Sequence, residues 1–207
     1  MSGLLVVGAG GHGKVVADAA KEQGCWDKIA FVDDLYPGLT ECLCWPVLGK
    51  IADAEAFLLK FPSIAVAVGN NQLRVSLLKK FSVMGFGLPV IIHPSACVSS
   101  QGHIDAGAVV LANAVINAGA KISLGCIVNT AATVDHDCIL AEGVHLSPGV
   151  HLAGGVTIGA YSWLGIGSSV IQKITIGANV MVGAGAAVTE NVANDATVVG
   201  VPARVKT

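Results

Sequence analysis

Charge, aromatic rings and long apolar runs are all scarce in this chain of 207 residues, and each scarcity excludes something. Charged side chains make up 13% of the sequence and sum to −2, so nothing basic offers itself to nucleic acid or to an anionic membrane. The partners expected are small molecules or further copies of the chain. Hydrophobic residues reach 53%, yet no stretch approaches the roughly 18 uninterrupted apolar residues of a membrane-crossing helix. The opening MSGLLVVGAGG has no basic segment and runs straight into glycine, unlike a secretory leader, and the expectation is a soluble protein of the cytoplasm. The six cysteines show no paired C-x-x-C or Cys/His spacing, so neither a metal nor a disulfide framework is expected of them, only small buried or half-buried side chains.

What is present falls into two textures. Up to about Pro94, short aliphatic runs (LLVVG, IAFVD, SIAVAVG, LPVIIH) alternate with helix-like segments around 13–24, 52–61 and 71–84. That alternation predicts a small Rossmann-like parallel α/β domain over 1–94, about half of a full dinucleotide fold. Its first turn, VVGAGGHGKVV (6–16), carries a G-x-G-x-x-G spacing that invites a pyrophosphate but is weak on its own. With only half a dinucleotide fold around it, NAD is disfavoured.

Over 95–207 helical periodicity gives way to Gly, Ala, Val and Ile. Stepping by six from Ile92 to Val188 meets an aliphatic residue at all seventeen positions, which chance does not supply. Four residues after each of the first eight stands a small one, Ala96, Gly102, Ala108, Ala114, Ala120, Cys126, Ala132 and Cys138. Because strand side chains alternate between faces, one branched and one small residue per hexapeptide point into a narrow interior. This is a β-solenoid of six-residue faces, about 26 Å tall at roughly 4.8 Å per coil.

Polar residues interrupt that pattern most densely in NTAATVDHDCILAEGVHLSPG (129–149), which gathers Asn129, Asp135, His136, Asp137, Glu142 and His145. An imidazole suits proton transfer near neutral pH, and an adjacent carboxylate orients it and stabilises its cation, so His136 with Asp137 is a candidate base pair. His103 and His151 have no independent claim to a role, and His93, before Pro94, marks the junction between the two textures. Cys138 is near the cluster without the surroundings of a nucleophile.

VVGAGGHGKVV, FVDD (31–34), VGNNQLR (68–74) and the 129–149 stretch together resemble the nucleotide-sugar N-acetyltransferases of the bacillosamine pathway and the related sialic-acid O-acetyltransferases, over essentially the whole chain. The resemblance implies a left-handed parallel β-helix after the α/β domain. It implies acetyl-CoA as cosubstrate, no metal, and a UDP-aminosugar as acceptor. By it His136 is the catalytic base, Asp137 raises its basicity, Asn129 is an active-site asparagine and His145 hydrogen-bonds the acetyl carbonyl. Gly154, Ile166 and Ala184 fall where relatives line the coenzyme channel, Ala184 standing where some have glycine. Gly10, Gly11, His12 and Gly13 would wrap the phosphates, and Asp33 and Asp34 would face base or ribose. Asn70, Asn71 and Arg74 follow the third strand, where carboxyl-end loops gather ligands, so they are expected at the substrate, with Arg74 either on a phosphate or tying the domains together.

The reaction implied is direct acetylation of a 4-amino group on a UDP-4-amino-4,6-dideoxy-N-acetyl sugar. O-acetylation of sialic acid or another sugar, and a non-enzymatic sugar-nucleotide-binding scaffold, are the alternatives. Nine residues, half of an eighteen-residue coil, separate His136 from His145, which predicts that they lie on different faces of one prism. The expectation is therefore a homotrimer in which His136 of one subunit works with His145 of a neighbour.

Overall fold

In a computed structural model that describes residues 2–206, the first aliphatic run forms β1 (Gly3–Val7), buried along its whole length. After helix α1 (Gly11–Gln23) come β2 (Lys28–Val32), a short antiparallel hairpin of β3 (Glu41–Cys42) and β4 (Trp45–Pro46), a 3-10 turn over Ile51–Phe57, and β5 (Ser63–Val66). Helix α2 (Asn71–Val83) completes the unit. The sheet is parallel, in the order β2-β1-β5. Its strands are apolar on both faces because each face is covered: Leu4 and Val6 pack with Val16, Ala17 and Ala20 of α1, while Leu5 and Val7 pack with Phe61, Leu78 and Phe81.

Two expected elements differ. The 52–61 segment makes only the 3-10 turn Ile51–Phe57, and within that turn Ala54 alone is buried, too small an apolar face to hold a full helix. The LPVIIH run does not become a fourth strand of this sheet. Gly87 makes one bridge to Ser63, Pro89 has no N–H for a ladder, and Ile91–Ile92 then pairs with Val109–Val110 as the first rung of the solenoid.

The solenoid has three walls of short strands, eight, six and five strands high; each strand pairs in parallel with the one eighteen residues on, until Met181–Val182 meets Thr197–Val198 sixteen residues on and the final pair runs antiparallel. The second residue of each strand points inward. Val110, Ile116, Ile122, Val128, Val134, Leu140 and their successors make one continuous core. From Gly107 to Gly185 the turns place a residue with positive φ every six positions, and at most of them it is glycine, which adopts that conformation without strain. The eight-stranded wall carries His145 and faces the α/β unit; the six-stranded wall carries Thr133 and His151; the five-stranded wall carries Ile139 and Thr157.

Candidate active site

His136 stands in the turn between the six-stranded and five-stranded walls. Its neighbour Asp137 occupies one of the positive-φ positions (φ 58°), a conformation aspartate tolerates better than most residues. There Asp137 Oδ2 meets His136 Nδ1 at 2.8 Å. On the other side Asp135 Oδ1 accepts from the His136 backbone N–H (2.7 Å) and from Asn117 Nδ2 (2.9 Å), so the loop is braced from both ends. The hydrogen bond from Asp137, helped by the charge of Asp135, raises the His136 pKa above the ordinary imidazole value. With Nδ1 held by the carboxylate, Nε2 is the atom free for proton transfer. The ring is open to solvent and lies over Gly154, one rung higher, where any Cβ would collide with Nε2.

His145 is on the eight-stranded wall and nearly inaccessible (8% exposed). Asn129 Oδ1 accepts from the Thr130 N–H (2.8 Å), which turns its Nδ2 toward His145 Nε2 at 3.2 Å. Nε2 is thus the acceptor and the proton sits on Nδ1, a buried donor with no partner among the described residues. The ring stacks on Trp163, with centroids 5.4 Å apart and planes 3° from parallel, and Trp163 Nε1 donates to Ser147 Oγ at 2.6 Å. The His12 ring is also near, its centroid 6.2 Å from that of His145. Burial, reinforced by the nearby charge of Arg74, lowers the pKa of His145 to about 3 and of His12 to about 4, so both rings are neutral near pH 7.

The 129–149 cluster therefore divides in two. Asn129 goes with His145, Asp135 and Asp137 go with His136, and Glu142 joins neither: it pairs with Lys79 at 2.8 Å and accepts from Tyr161 Oη. Cys138 is fully buried, its Sγ directed to Ala153 O at 3.2 Å inside the solenoid. Ile166 and Ala184 stack on a different corner from Gly154, between the eight- and six-stranded walls, and both are exposed. His93 is held by Ser95, His103 by Asp105 and His151 by Thr133.

On the α/β side the residues expected to wrap the phosphates take different places. Gly10 and Gly11 leave open space before the first turn of α1, as a bound anion requires. Gly13 packs against the Gly8 carbonyl, and His12 turns toward His145, its buried Nε2 without a partner among the described residues. Asp33 holds backbone through both oxygens, from Ala9 N (2.7 Å) and Leu35 N (2.9 Å), and Asp34 Oδ1 accepts from Ile51 N (3.1 Å). Asn70 caps α2 through Leu73 N at 2.9 Å. Arg74 touches no open surface. It is fully buried, and its guanidinium donates to Gly125 O, Gly143 O, Val68 O and Asn71 Oδ1 at 2.8–3.0 Å, so of its two readings the structure selects the tie between domains. Asn70, Asn71, Tyr161, Trp163, Asn179 and Met181 line a cleft of about 460 Å³ between the two units. Trp163 is the residue the sequence reading missed, although the eighteen-residue coil places it one rung above His145.

Residues 3–81 match the PglD N-terminal domain family. The whole fold matches the acetyltransferase domain of PglB from Neisseria gonorrhoeae, solved with acetyl coenzyme A, at 44% identity and a TM-score of 0.95 over 99% of this chain and 98% of that one. The chain belongs to the hexapeptide-repeat nucleotide-sugar acetyltransferase family. Another member, PerB from Caulobacter crescentus, solved with CoA and GDP-perosamine, matches at 38% identity and TM-score 0.95 over 100% of this chain and 98% of that one. A curated member, the UDP-N-acetylbacillosamine N-acetyltransferase of Bacillus subtilis, is 36% identical over 114 residues, which span 54% of this chain and 52% of that protein. Among the described residues no helix is long and apolar enough to cross a membrane, and no group of three or more His, Cys, Asp or Glu could hold a metal ion.

Proposed function

We propose that this family member transfers the acetyl group of acetyl-CoA to the 4-amino group of a UDP-4-amino-4,6-dideoxy-N-acetyl sugar. The observation that carries the reading is the exposed His136, oriented by Asp137 and seated over the bare Gly154. It agrees with relatives whose structures hold acetyl coenzyme A, or CoA with a GDP-aminosugar.

In this account His136 Nε2 takes a proton from the acceptor amine as its nitrogen attacks the thioester carbonyl. Asp137 stabilises the imidazolium that forms. His145 Nδ1, neutral and protonated, donates to the carbonyl oxygen as charge develops there, with the Gly154 backbone N–H as a second donor. Asn129 fixes the tautomer that makes His145 a donor. Gly154, Ile166 and Ala184 line the path of the coenzyme. Gly10 and Gly11, at the start of α1, receive the diphosphate. The sugar enters the cleft beside Asn70 and Asn71.

His136 stands at the corner between the six- and five-stranded walls and His145 on the eight-stranded wall of the same solenoid, and we assign each complete site to His136 of one subunit and His145 of its neighbour in a homotrimer. The direct test is release of free thiol from acetyl-CoA in the presence of a UDP-4-amino-4,6-dideoxy sugar. Turnover with the amine supports the reading. Thiol release only with hydroxyl acceptors, or with neither, overturns it.

A further inference from the structure

Helix α2 lies along one corner of the solenoid, and that corner is a column of turn residues eighteen apart, Gly107, Gly125, Gly143, Tyr161 and Asn179, all with positive φ. Leu78 fills the room left at the lower glycines: a Cβ would stand 2.7 Å from it at Gly107 and 2.5 Å at Gly125. Val75 does the same at Gly143, at 2.9 Å. Arg74 Nε donates to Gly125 O (2.8 Å) and its Nη2 to Gly143 O (2.8 Å), Asn71 Nδ2 to Tyr161 O (2.8 Å), and Gln72 Nε2 to Asn179 Oδ1 (3.1 Å). The helix thus descends the column with at least one side chain on every rung.

A helical turn rises about 5.4 Å and a solenoid rung about 4.8 Å, so the two repeats nearly match. Apolar contact with three successive glycine rungs cannot by itself distinguish one rung from the next. A slip of one rung would carry the glycine-rich loop about 4.8 Å along the wall. Tyr161, bulky where the lower rungs have glycine, blocks movement one way. Arg74 locks the register that Tyr161 and the Gln72–Asn179 bond mark: its guanidinium donates to the carbonyls of two rungs and also to Val68 O (3.0 Å) in the loop after β5, joining helix, loop and two rungs at one buried point. A buried cation without a carboxylate partner is a poor device for stability alone, since an apolar side chain of similar volume serves as well; fixing a register is the better-attested use of such groups.

We propose that Arg74 is a positioning residue that fixes, to the rung, where the nucleotide-sugar-binding unit stands on the acyl-transfer solenoid. This rests on the functional reading of the two units given above. The test compares Arg74→Met and Arg74→Lys in steady-state kinetics, acetyl-CoA binding by calorimetry, and hydrogen exchange of α2. Misplacement of about one rung predicts that Arg74→Met binds acetyl-CoA within about twofold of wild type while kcat/KM for the nucleotide sugar falls at least about 30-fold. Arg74→Lys should recover part of that loss, and exchange in α2 should quicken in Arg74→Met. Kinetic constants within twofold of wild type overturn the proposal, and so does a parallel loss of acetyl-CoA binding and turnover that lysine does not relieve. Should Arg74→Met fail to fold, Gly143→Ala, which sets a methyl group against Val75, must give the same split, and wild-type kinetics there overturn it. If the wild-type chain acetylates no sugar amine, the functional reading fails separately; quickened exchange in α2 of Arg74→Met then supports the register claim and unchanged exchange sinks it.

Discussion

The imidazole of His136 lies across Gly154, eighteen residues and one rung further along the chain, at a spot where no other residue type fits without moving the ring. Base and glycine are thus one structural unit.

Gly154→Ala follows directly. Its new methyl group displaces His136 from Asp137 without altering the core, because Gly154 is not among the positive-φ positions. A fall in kcat of about 100-fold or more is expected, with the melting temperature nearly unchanged, as for the loss of a general base. Steady-state kinetics beside a thermal melt check it.

The pH dependence should follow the partners of His136. A base must be unprotonated to act, so activity falls as pH drops through its pKa, and the raised pKa puts that acid limb above the ordinary imidazole value. Asp137→Asn removes the leading cause of the rise. The limb should move to lower pH while kcat at the plateau falls by about tenfold. A pH profile of kcat/KM that stays in place would separate Asp137 from the base.

Stability should have its own acid limb, from different histidines. His12 and His145 have folded pKa values of about 4 and about 3, below the ordinary 6.5. Above pH 6.5 both folded and unfolded forms are neutral and stability is full; below it the unfolded chain takes protons that the buried rings refuse. Stability is then lost at up to about 1.4 kcal/mol per pH unit for each ring until the folded values are reached. Thermal melts of His12→Gln between pH 7 and pH 4 should show a shallower decline than wild type.

The solenoid was legible because its constraint repeats: an inward aliphatic every six residues is forced by a narrow interior, whatever the rest of the sequence does. The His136–Asp137 pair was legible because its partners are adjacent in the chain. Features depending on contacts across the fold were not. Nothing local to VGNNQLR says whether Arg74 meets a ligand or the Gly125 and Gly143 carbonyls, and nothing near His12 announces His145 at 6.2 Å. The fate of LPVIIH turned on Pro89 and on which sheet offered Ile91 a partner, a tertiary matter. Trp163 could have been found from the coil length, by adding eighteen to 145.

Shared sites make a prediction about mixtures. His136→Ala and His145→Ala subunits, each inactive by itself, should regain part of the wild-type activity when unfolded and refolded together, since some interfaces then carry both intact rings. Assays of the mixture against each parent decide it. Restoration near zero would mean that each chain holds its own site.

The most direct measurement is the turnover of His136→Ala with acetyl-CoA and a UDP-aminosugar, set beside its affinity for acetyl-CoA. The account predicts a loss in kcat of about 10²- to 10⁴-fold, the range for removing a general base, with acetyl-CoA binding retained. Turnover close to wild type, or a loss fully explained by weaker acetyl-CoA binding, would contradict it.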